Sequence, residues 1–336
     1  MNSPPLLILV PTGGTPKEAP AARPLGRAAL ALESEGVSVL FGDQYKSGLF
    51  HGWRAQGQDW VSSTTDSLLA VHDRYPSVSR RKQWDELQAH LGPSHFGNPP
   101  RLTLLCKDKL ESQKTLERAG LLMPEVEGDV ARFGDRLRTW GAAFLKPRHG
   151  SQGHQIRLLE STIPGDLKPG CWVLQRAVPP PPRRAGVALR LLVQRQVEGG
   201  WWLGPIVART SLSDPVVNAS RGAQVLPAED IISSSCSEMI RASSRRIAQV
   251  LAREEDGSRL LELGLDFVVD REGKAHLIEV NSCPRGRLLH LAQQSPEEWE
   301  KEHQEACERP LRRLLYLAQE TARQLDLRSG MKSVAK

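Results

Sequence analysis

Short apolar runs alternate with amphipathic segments along the first hundred residues. The runs at 6–10 and 37–41 have the length of buried strands, and the alanine-rich segment between them has a helical pattern. A further strand is predicted within 67–76 and a helix within 79–92. Strand, helix and strand in this order are typical of a parallel α/β unit. The pattern therefore predicts a small α/β domain over residues 1–100.

The segment GNPP, at residues 97–100, separates this region from a second pattern. A helix is predicted within 107–124, with Asp108 near its start and Gly120 after its end. Two strands around a glycine-bearing loop are predicted within 142–159. A further apolar strand, at 171–178, precedes four consecutive prolines. The proline and glycine punctuation predicts a domain boundary near residue 100.

Strands and helices alternate again beyond the prolines. Residues 187–211 predict a hairpin that turns at a Gly-Gly pair, and residues 235–254 predict an amphipathic helix. Two apolar strands around the polar turn DREGK follow at 266–281. A last helix is predicted to begin at Ser295, and Pro310 is expected to break or kink it.

The DREGK hairpin carries acidic side chains inside its apolar strands. With Glu272 and Gly273 at the centre of the turn, Asp266 would lie directly opposite Glu279. A three-residue loop would shift that pairing by one residue. Asn281, two residues beyond Glu279, would point to the same face of the sheet.

Two facing carboxylates repel each other and lose hydration when buried, so something cationic must compensate them. A divalent cation would do so, and ligands that offer only oxygen suit Mg²⁺ or Mn²⁺. Pairing with arginines, or a position at a solvated sheet edge, is the alternative. The hairpin by itself does not decide between these interpretations.

Composition narrows the class of protein. The chain has 336 residues, 39% of them hydrophobic and 25% charged, and it contains no apolar run long enough to span a membrane. Its opening lacks the basic region of a signal peptide, which predicts a cytoplasmic location. The five cysteines have no CxxC spacing, so neither a disulfide framework nor a structural zinc site is expected.

The basic charge favours small anionic ligands over nucleic acid. The net charge is +6, but the arginines are dispersed and only 5% of the residues are aromatic. Lys146 closes a strand directly before the glycine loop PRHGSQG, where a lysine and backbone N–H groups can meet phosphates. The loop matches neither GxxxxGK[ST] nor GxGxxG, and a tight hairpin with an exposed lysine is the alternative. Lys109, in KDK, is a second candidate for phosphate binding; the alternative is that it is an ordinary exposed lysine on a helix.

The order of these motifs resembles the ATP-grasp superfamily. The segments HDRYP, NPP…KDK, LKPRHGSQG, LRLLVQR, ARTS…NASRG and EVNSCPRG are most similar to its YheC/YheD branch, the spore-coat-associated ATP-grasp proteins. The resemblance covers about residues 100–290. It implies an α/β (α+β) fold, with two ATP-grasp lobes around a nucleotide and a small Rossmann-like pre-ATP-grasp domain before them.

The resemblance also implies where the domains lie. The pre-ATP-grasp domain would span residues 1–100, and the N-terminal lobe with the glycine loop 101–178. The C-terminal lobe with the metal site would span 179–326, followed by a flexible tail over 327–336.

ATP and Mg²⁺, with Mn²⁺ as an alternative, are the implied cofactors. The residues expected to contact ATP include two lysines for the phosphates, the glycine loop and a strand end for adenine: Lys109, Lys146, Gly150, Ser151, Gly153, Gln175, Arg176, Ala177 and Val178. The implied metal ligands are Asp266, Glu279 and Asn281. The side chains expected near the transferred phosphoryl group or the substrate are Arg190, Arg209, Asn218 and Arg221.

The implied reaction is an ATP-dependent ligation of a carboxylate to an amine or similar nucleophile, through an acyl phosphate. The substrate would be a small-molecule or peptide carboxylate, with no nucleic-acid or membrane partner; a homodimer is left open. Four features depart from relatives. Ala188 replaces the aspartate of a DxR motif, Gly264 replaces an arginine of D-alanine-type ligases, Gly222 and Ala223 stand where paired glycines are common, and no acidic residue for the ribose follows QRAV. The alternatives are an ATP-grasp small-molecule kinase and a catalytically weak ATP-binding or spore-coat-type assembly protein.

Overall fold

The computed structural model describes residues 6–9, 23–57, 59–66, 68, 70–72, 81–92, 95–149, 155–217, 222–284 and 288–334. For residues 6–9, 23–24, 43–44, 81–84 and 321–334 it describes the backbone alone. None of the helices in this part of the chain combines the length and the apolar character that a bilayer-crossing segment requires.

The first domain is built on a six-stranded sheet. Its strands are β1 (Leu6–Leu9), β2 (Ser38–Lys46), β3 (Leu49–Gln56), β4 (Asp59–Thr65), β5 (Ala70–His72) and β6 (Phe96–Gly97), in the order β4-β3-β2-β1-β5-β6. The pairs β1–β2, β1–β5 and β5–β6 are parallel, as the α/β pattern predicts. The antiparallel extension of β2 by β3 and β4 is not predicted by the sequence.

Helices α1 (Arg23–Ser34) and α2 (Arg81–Leu91) belong to the same domain. The buried residues of α1 recur at the spacing of one helical face: Leu25, Ala28, Ala29 and Leu32. Two residues beyond the helix, Gly36 has a φ of +83°, a left-handed conformation that favours glycine.

A second group of elements follows the GNPP segment. Helix α3 (Pro100–Lys107) begins inside that segment, and α4 (Lys109–Arg118) follows after one residue. A four-stranded sheet then has the order β7 (Val126–Glu127), β10 (Trp172–Arg176), β8 (Ala143–Pro147), β9 (Arg157–Leu159). Helix α5 (Phe133–Trp140) covers it, and Phe133 and Leu137 pack on the strands.

A five-stranded antiparallel sheet forms the largest core. Its order is β13 (Gln224–Pro227), β12 (Trp201–Ser211), β11 (Gly186–Arg195), β14 (Glu262–Val269), β15 (Ala275–Asn281). Helix α6 (Ser234–Leu251) packs on one face through Ile240 and Ile247. Helices α3 and α4 contribute Leu102 and Leu116 to the same core, so they join this sheet to the preceding one.

The C-terminal helices return to the first domain. Helix α7 (Leu288–Gln294) is followed by α8 (Pro296–Val334). Leu311 and Leu314 of α8 share a core with Leu32 of α1 and with Leu261, which directly precedes β14. One apolar core therefore joins the first domain to α8 and to the residue that precedes β14.

The predicted break at Pro310 is wrong, because α8 continues through this residue. A proline has no N–H to donate to the carbonyl four residues earlier, here that of Ala306. In the structure that carbonyl accepts a hydrogen bond from Gln194 Nε2 at 2.7 Å. The side chain of Gln194 replaces the missing helical hydrogen bond, and the buried Leu311 and Leu314 hold the helix in place.

We expect Leu314→Ala to lower the free energy of unfolding by about 2–5 kcal/mol, because Leu314 is fully buried where α8 meets the first domain. Leu104→Ala, at an exposed leucine of α3, is the control and should change it by less than about 0.5 kcal/mol. Urea denaturation measures both. Equal midpoints for the two variants would contradict a shared core.

Candidate functional site

The predicted pairing of two carboxylates across the last hairpin is confirmed. Asp266 of β14 lies directly opposite Glu279 of β15, and Gly264 lies opposite Asn281. Asp266 is 4% exposed, whereas Glu279 and Asn281 are half-buried. The Nδ2 group of Asn281 donates to Asp266 Oδ2 at 3.0 Å, so the three side chains lie together on one face.

The turn of this hairpin differs from the predicted one. Gly273, with a φ of +80°, donates its N–H to Asp270 O, and Asp270 Oδ1 accepts from the N–H groups of Glu272 and Lys274. Next to the turn, Phe267 pairs with Leu277, one residue out of the predicted register. A β-bulge restores the register at Asp266. The carboxylates therefore face each other because of the bulge, not because of the turn.

Two arginines from neighbouring strands bind Asp266. Arg190 of β11, which lies directly opposite it, donates from Nε to Oδ1 at 2.9 Å and from Nη2 to Oδ2. Arg209 of β12 donates from Nη2 to Oδ1 at 2.8 Å. Arg209 pairs across the strands with the small Ala188, which leaves its guanidinium free to extend to Asp266. Of the two interpretations of the hairpin, pairing with arginines describes Asp266 in this structure.

Burial and neighbouring carboxylates shift the pKa values of these two arginines in opposite directions. Loss of hydration lowers the pKa of Arg209, and the attraction of Asp266 only partly offsets it. For Arg190 burial acts the same way, but the charge and hydrogen bonds of Asp266, together with the charge of Glu279, raise its pKa overall. The bidentate pair of Arg190 with Asp266 is therefore the stronger of the two interactions.

Lys146 brings a third cation to this cluster from the four-stranded sheet. It is 7% exposed, and its Nζ donates to Oε1 of Gln175 on the neighbouring strand. Burial, with a smaller contribution from the charge of Lys109, lowers the pKa of Lys146 to about 8, although Glu279 and Asp266 act to raise it. The charges of the two sheets therefore act on each other at one site.

Lys109 is placed by a clamp between α4 and the start of the glycine loop. Asp108 caps α4 by accepting from the N–H groups of Leu110 and Glu111. The same carboxylate binds Arg148 through Nε at 2.8 Å and Nη2 at 2.7 Å, and Lys109 N donates to Arg148 O. Burial raises the pKa of Asp108, but Arg148 and the helix N–H groups hold it below its usual value.

In the segment expected to hold adenine, two backbone N–H groups already donate hydrogen bonds to other parts of the protein. Arg176 N donates to Glu125 O at 2.9 Å, and Ala177 N donates to Ala142 O at 3.0 Å. The Arg176 side chain pairs with Glu125 at the surface, whereas Gln175 is buried. These N–H groups are therefore not available to a base, although Val178 follows directly.

Five predicted site residues lie outside the described part of the chain. They are Gly150, Ser151 and Gly153 of the glycine loop, and Asn218 and Arg221 of NASRG. The described residues that the structure brings together are Lys109, Lys146, Arg190, Arg209, Asp266, Glu279 and Asn281. The clamp of Asp108 and Arg148 was missed by the sequence analysis; opposite charges in two adjacent motifs, KDK and KPRH, were the signal that could have revealed it.

A protein-family model described as YheC/D like ATP-grasp matches residues 172–317, from β10 into α8. The predicted resemblance to this branch is confirmed over that range. Among curated protein sequences, none matches the chain.

Solved structures of ATP-grasp ligases share the fold. D-alanyl-alanine synthetase A from Vibrio cholerae is 12% identical, with a TM-score of 0.61 over 94% of this chain and 100% of its own. The D-alanine-D-alanine ligase from Coxiella burnetii is 13% identical, with a TM-score of 0.61 over 100% of both chains. The ATP-grasp ligase PsnB, complexed with minimal precursor, Mg and ADP, is 14% identical, with a TM-score of 0.57 over 93% of this chain and 97% of its own. The chain therefore has the ATP-grasp fold that the sequence predicts.

The lowered pKa of Lys146 predicts how stability depends on pH. In the unfolded chain this lysine keeps its proton up to about pH 10.5, whereas the folded protein loses it near pH 8. Between these values the unfolded state binds more protons, so the free energy of unfolding should rise with pH. Relative to Lys146→Met, the wild type should gain about 1–3 kcal/mol across this window.

Denaturation of both proteins from pH 7.5 to 10.5 measures this difference. Lys114→Met, at an exposed lysine of α4, is the control and should follow the wild-type curve. Parallel curves for wild type and Lys146→Met would show that Lys146 keeps an ordinary pKa.

Proposed function

We propose that this chain is an ATP-dependent ligase that joins a carboxylate to an amine or similar nucleophile through an acyl phosphate. The observation that carries the proposal is that Lys146 of the four-stranded sheet lies close enough to Asp266 and Glu279 of the five-stranded sheet for their charges to act on its pKa. A lysine for phosphates facing carboxylates for a metal is the arrangement that Mg-ATP requires. The similar structures support a ligase, since one is named a synthetase and two are named ligases.

The residues present fit Mg²⁺ in the chemistry of their donors. Asp266, Glu279 and Asn281 would hold it through two carboxylates and an amide oxygen. Across the described residues no three His, Cys, Asp or Glu side chains form a metal site by themselves, so the nucleotide phosphates would complete the ligand set. When bound, Mg²⁺ would neutralise charge on both carboxylates and on the phosphates.

Arg190 and Arg209 would have one role before Mg-ATP binds and another after it binds. In this structure both bind Asp266, which satisfies a buried carboxylate. When Asp266 turns to the metal, at least one guanidinium would be released towards the anionic groups that arrive with it. Arg190 lies on β11, directly beside β14, and Arg209 lies on β12, one strand further; both guanidinium groups already reach Asp266, so a small side-chain movement is enough.

The four-stranded sheet and α4 would bind the nucleotide. Lys109 and Lys146 would contact the phosphates under the loop of Gly150, Ser151 and Gly153, with Gln175 orienting the Lys146 ammonium. Because two N–H groups of the adenine strand are used within the fold, Val178 and the strand's carbonyl groups would meet the base.

In the reaction, a substrate carboxylate oxygen would attack the γ-phosphorus of ATP, which releases ADP and forms an acyl phosphate. The amine would then attack the acyl carbon, and inorganic phosphate would leave. Arg190 and Arg209 would stabilise the charge on the transferred group, with Asn218 and Arg221 beside them. Closure of the nucleotide-binding sheet would keep water from the acyl phosphate.

A catalytically weak ATP-binding protein is the second candidate, and two observations favour it. Ala188 offers no carboxylate to Arg209, and Asp266 is bound by both arginines. A protein of this kind would bind Mg-ATP without turning it over.

We expect ATP to bind in a way that depends on Mg²⁺ and on Glu279. In calorimetry, Glu279→Gln should weaken Mg-ATP binding at least about tenfold, ~1.4 kcal/mol, because one metal-binding carboxylate is lost. Glu272→Gln, an exposed change on the same hairpin, is the matched control and should bind as the wild type does. Equal affinities for all three proteins, or no binding by the wild type, would contradict the proposed site.

Product analysis then separates the candidates. A ligase should release ADP and phosphate only when both a carboxylate and an amine are present. ADP without phosphate would indicate a kinase. Binding of Mg-ATP without turnover over a broad panel of carboxylates and amines would favour the binding protein.

A further inference from the structure

A fully buried amide lies where the first domain joins the rest of the chain. Asn98, 0% exposed, directly follows β6. Its Nδ2 group donates to Glu262 O at 2.8 Å and to Ser282 O, and its Oδ1 accepts from Leu261 N at 2.7 Å and from Glu262 N at 3.2 Å. Both donors and the acceptor of the amide are therefore used.

The partners of Asn98 lie at the ends of the two strands that carry the carboxylates. Glu262 begins β14, four residues before Asp266, and Ser282 directly follows Asn281 at the end of β15. The amide binds both the N–H and the C=O of Glu262, as a residue on a neighbouring strand would. Asn98 thus extends the pairing of β14 by one step beyond the end of β15.

The side chain of Glu262 joins further parts of the fold to the same point. Its Oε2 accepts from Gln194 Nε2 at 3.1 Å, and its Oε1 lies 3.4 Å from Nε2 of the buried His72 at the end of β5. Gln194 in turn accepts from Arg309 of α8 at 2.9 Å. The first domain, the five-stranded sheet and α8 therefore meet at the start of β14.

The close approach of this segment to β14 also restricts the residue before Asn98. A Cβ atom at Gly97 would lie 2.5 Å from Leu261 Cδ1 and 3.1 Å from Leu314 Cδ1. A larger residue at position 97 would therefore require the side chain of Leu261 to shift.

We propose that Asn98 is a positioning residue for the metal and nucleotide site, which rests on the proposed function. By tying the start of β14 to the end of β15, it fixes the spacing of Asp266 from Glu279 and Asn281. Loss of the amide removes the hydrogen bonds that Asn98 makes with Leu261, Glu262 and Ser282, so the end of β15 is no longer tied to the start of β14. The same hydrogen bonds couple the position of the first domain to the site.

The test compares Asn98→Ser with Leu87→Ala. Leu87 of α2 is 1% exposed and packs with Phe50 and Val71 in a core of the first domain that contains no residue of β14 or β15. Both variants should be less stable than the wild type. Only Asn98→Ser should lose at least about tenfold in affinity for Mg-ATP, while its affinity for ATP without Mg²⁺ stays within about twofold.

The wild type provides a second measurement that needs no variant. The N–H groups of Leu261 and Glu262 donate to Asn98, so Mg-ATP binding should slow their hydrogen exchange by a larger factor than that of Ile247 in α6. Equal slowing at all three positions would overturn the proposal.

The outcomes also separate this proposal from the proposed function. If the wild type shows no Mg²⁺-dependent binding of ATP, the proposed function fails, and the role of Asn98 fails with it. If the wild type binds Mg-ATP and Asn98→Ser binds it equally well, only the positioning role is overturned, and Asn98 serves stability alone.

Discussion

The repulsion between two neighbouring carboxylates is the constraint on which the rest of this structure depends. Asp266 and Glu279 face each other across two strands, and Asp266 is almost fully buried. Such a pair is stable only with cations beside it. Two strands of the same sheet deliver Arg190 and Arg209, and a second sheet delivers Lys146. The charges explain why the two sheets must lie close together.

This charge arrangement suits a site that exchanges partners. Two arginines share one carboxylate here, and burial opposes the charge of both. Lys146 has its pKa lowered to about 8, so the arrival of phosphates would favour its charged form. The same groups can therefore neutralise the carboxylates before ligands bind and contact anions afterwards.

The strands and helices could be predicted from the sequence because they depend on local pattern. The pairing of Asp266 with Glu279 was predicted from a turn register that is wrong, and it holds because a β-bulge, which the sequence did not reveal, restores that register. Other features depend on contacts between distant residues. In the helix that continues through Pro310, Gln194 supplies a hydrogen bond to the Ala306 carbonyl. Nothing in the sequence GNPP indicates that Asn98 binds residues at the ends of two strands more than 160 positions later.

The arginine partners of Asp266 also could not be predicted, because they come from residues that are distant in the sequence. The sequence leaves metal and arginine as alternatives for this carboxylate, since the strand order, which places β11 beside β14 and β12 on the other side of β11, is a tertiary feature. The sequence shows that Ala188 replaces an acidic residue. It does not show that Ala188 lies directly opposite Arg209, so that Arg209 has no carboxylate there and binds Asp266. Residue types were therefore predictable, and their partners were not.

A crystal structure with Mg²⁺ and a non-hydrolysable ATP analogue tests the central claim most directly. The account predicts Mg²⁺ bound to Asp266 and Glu279, with at least one of Arg190 and Arg209 moved from Asp266 to a phosphate oxygen. A nucleotide bound elsewhere, or bound while both arginines keep their present bonds to Asp266, would contradict it.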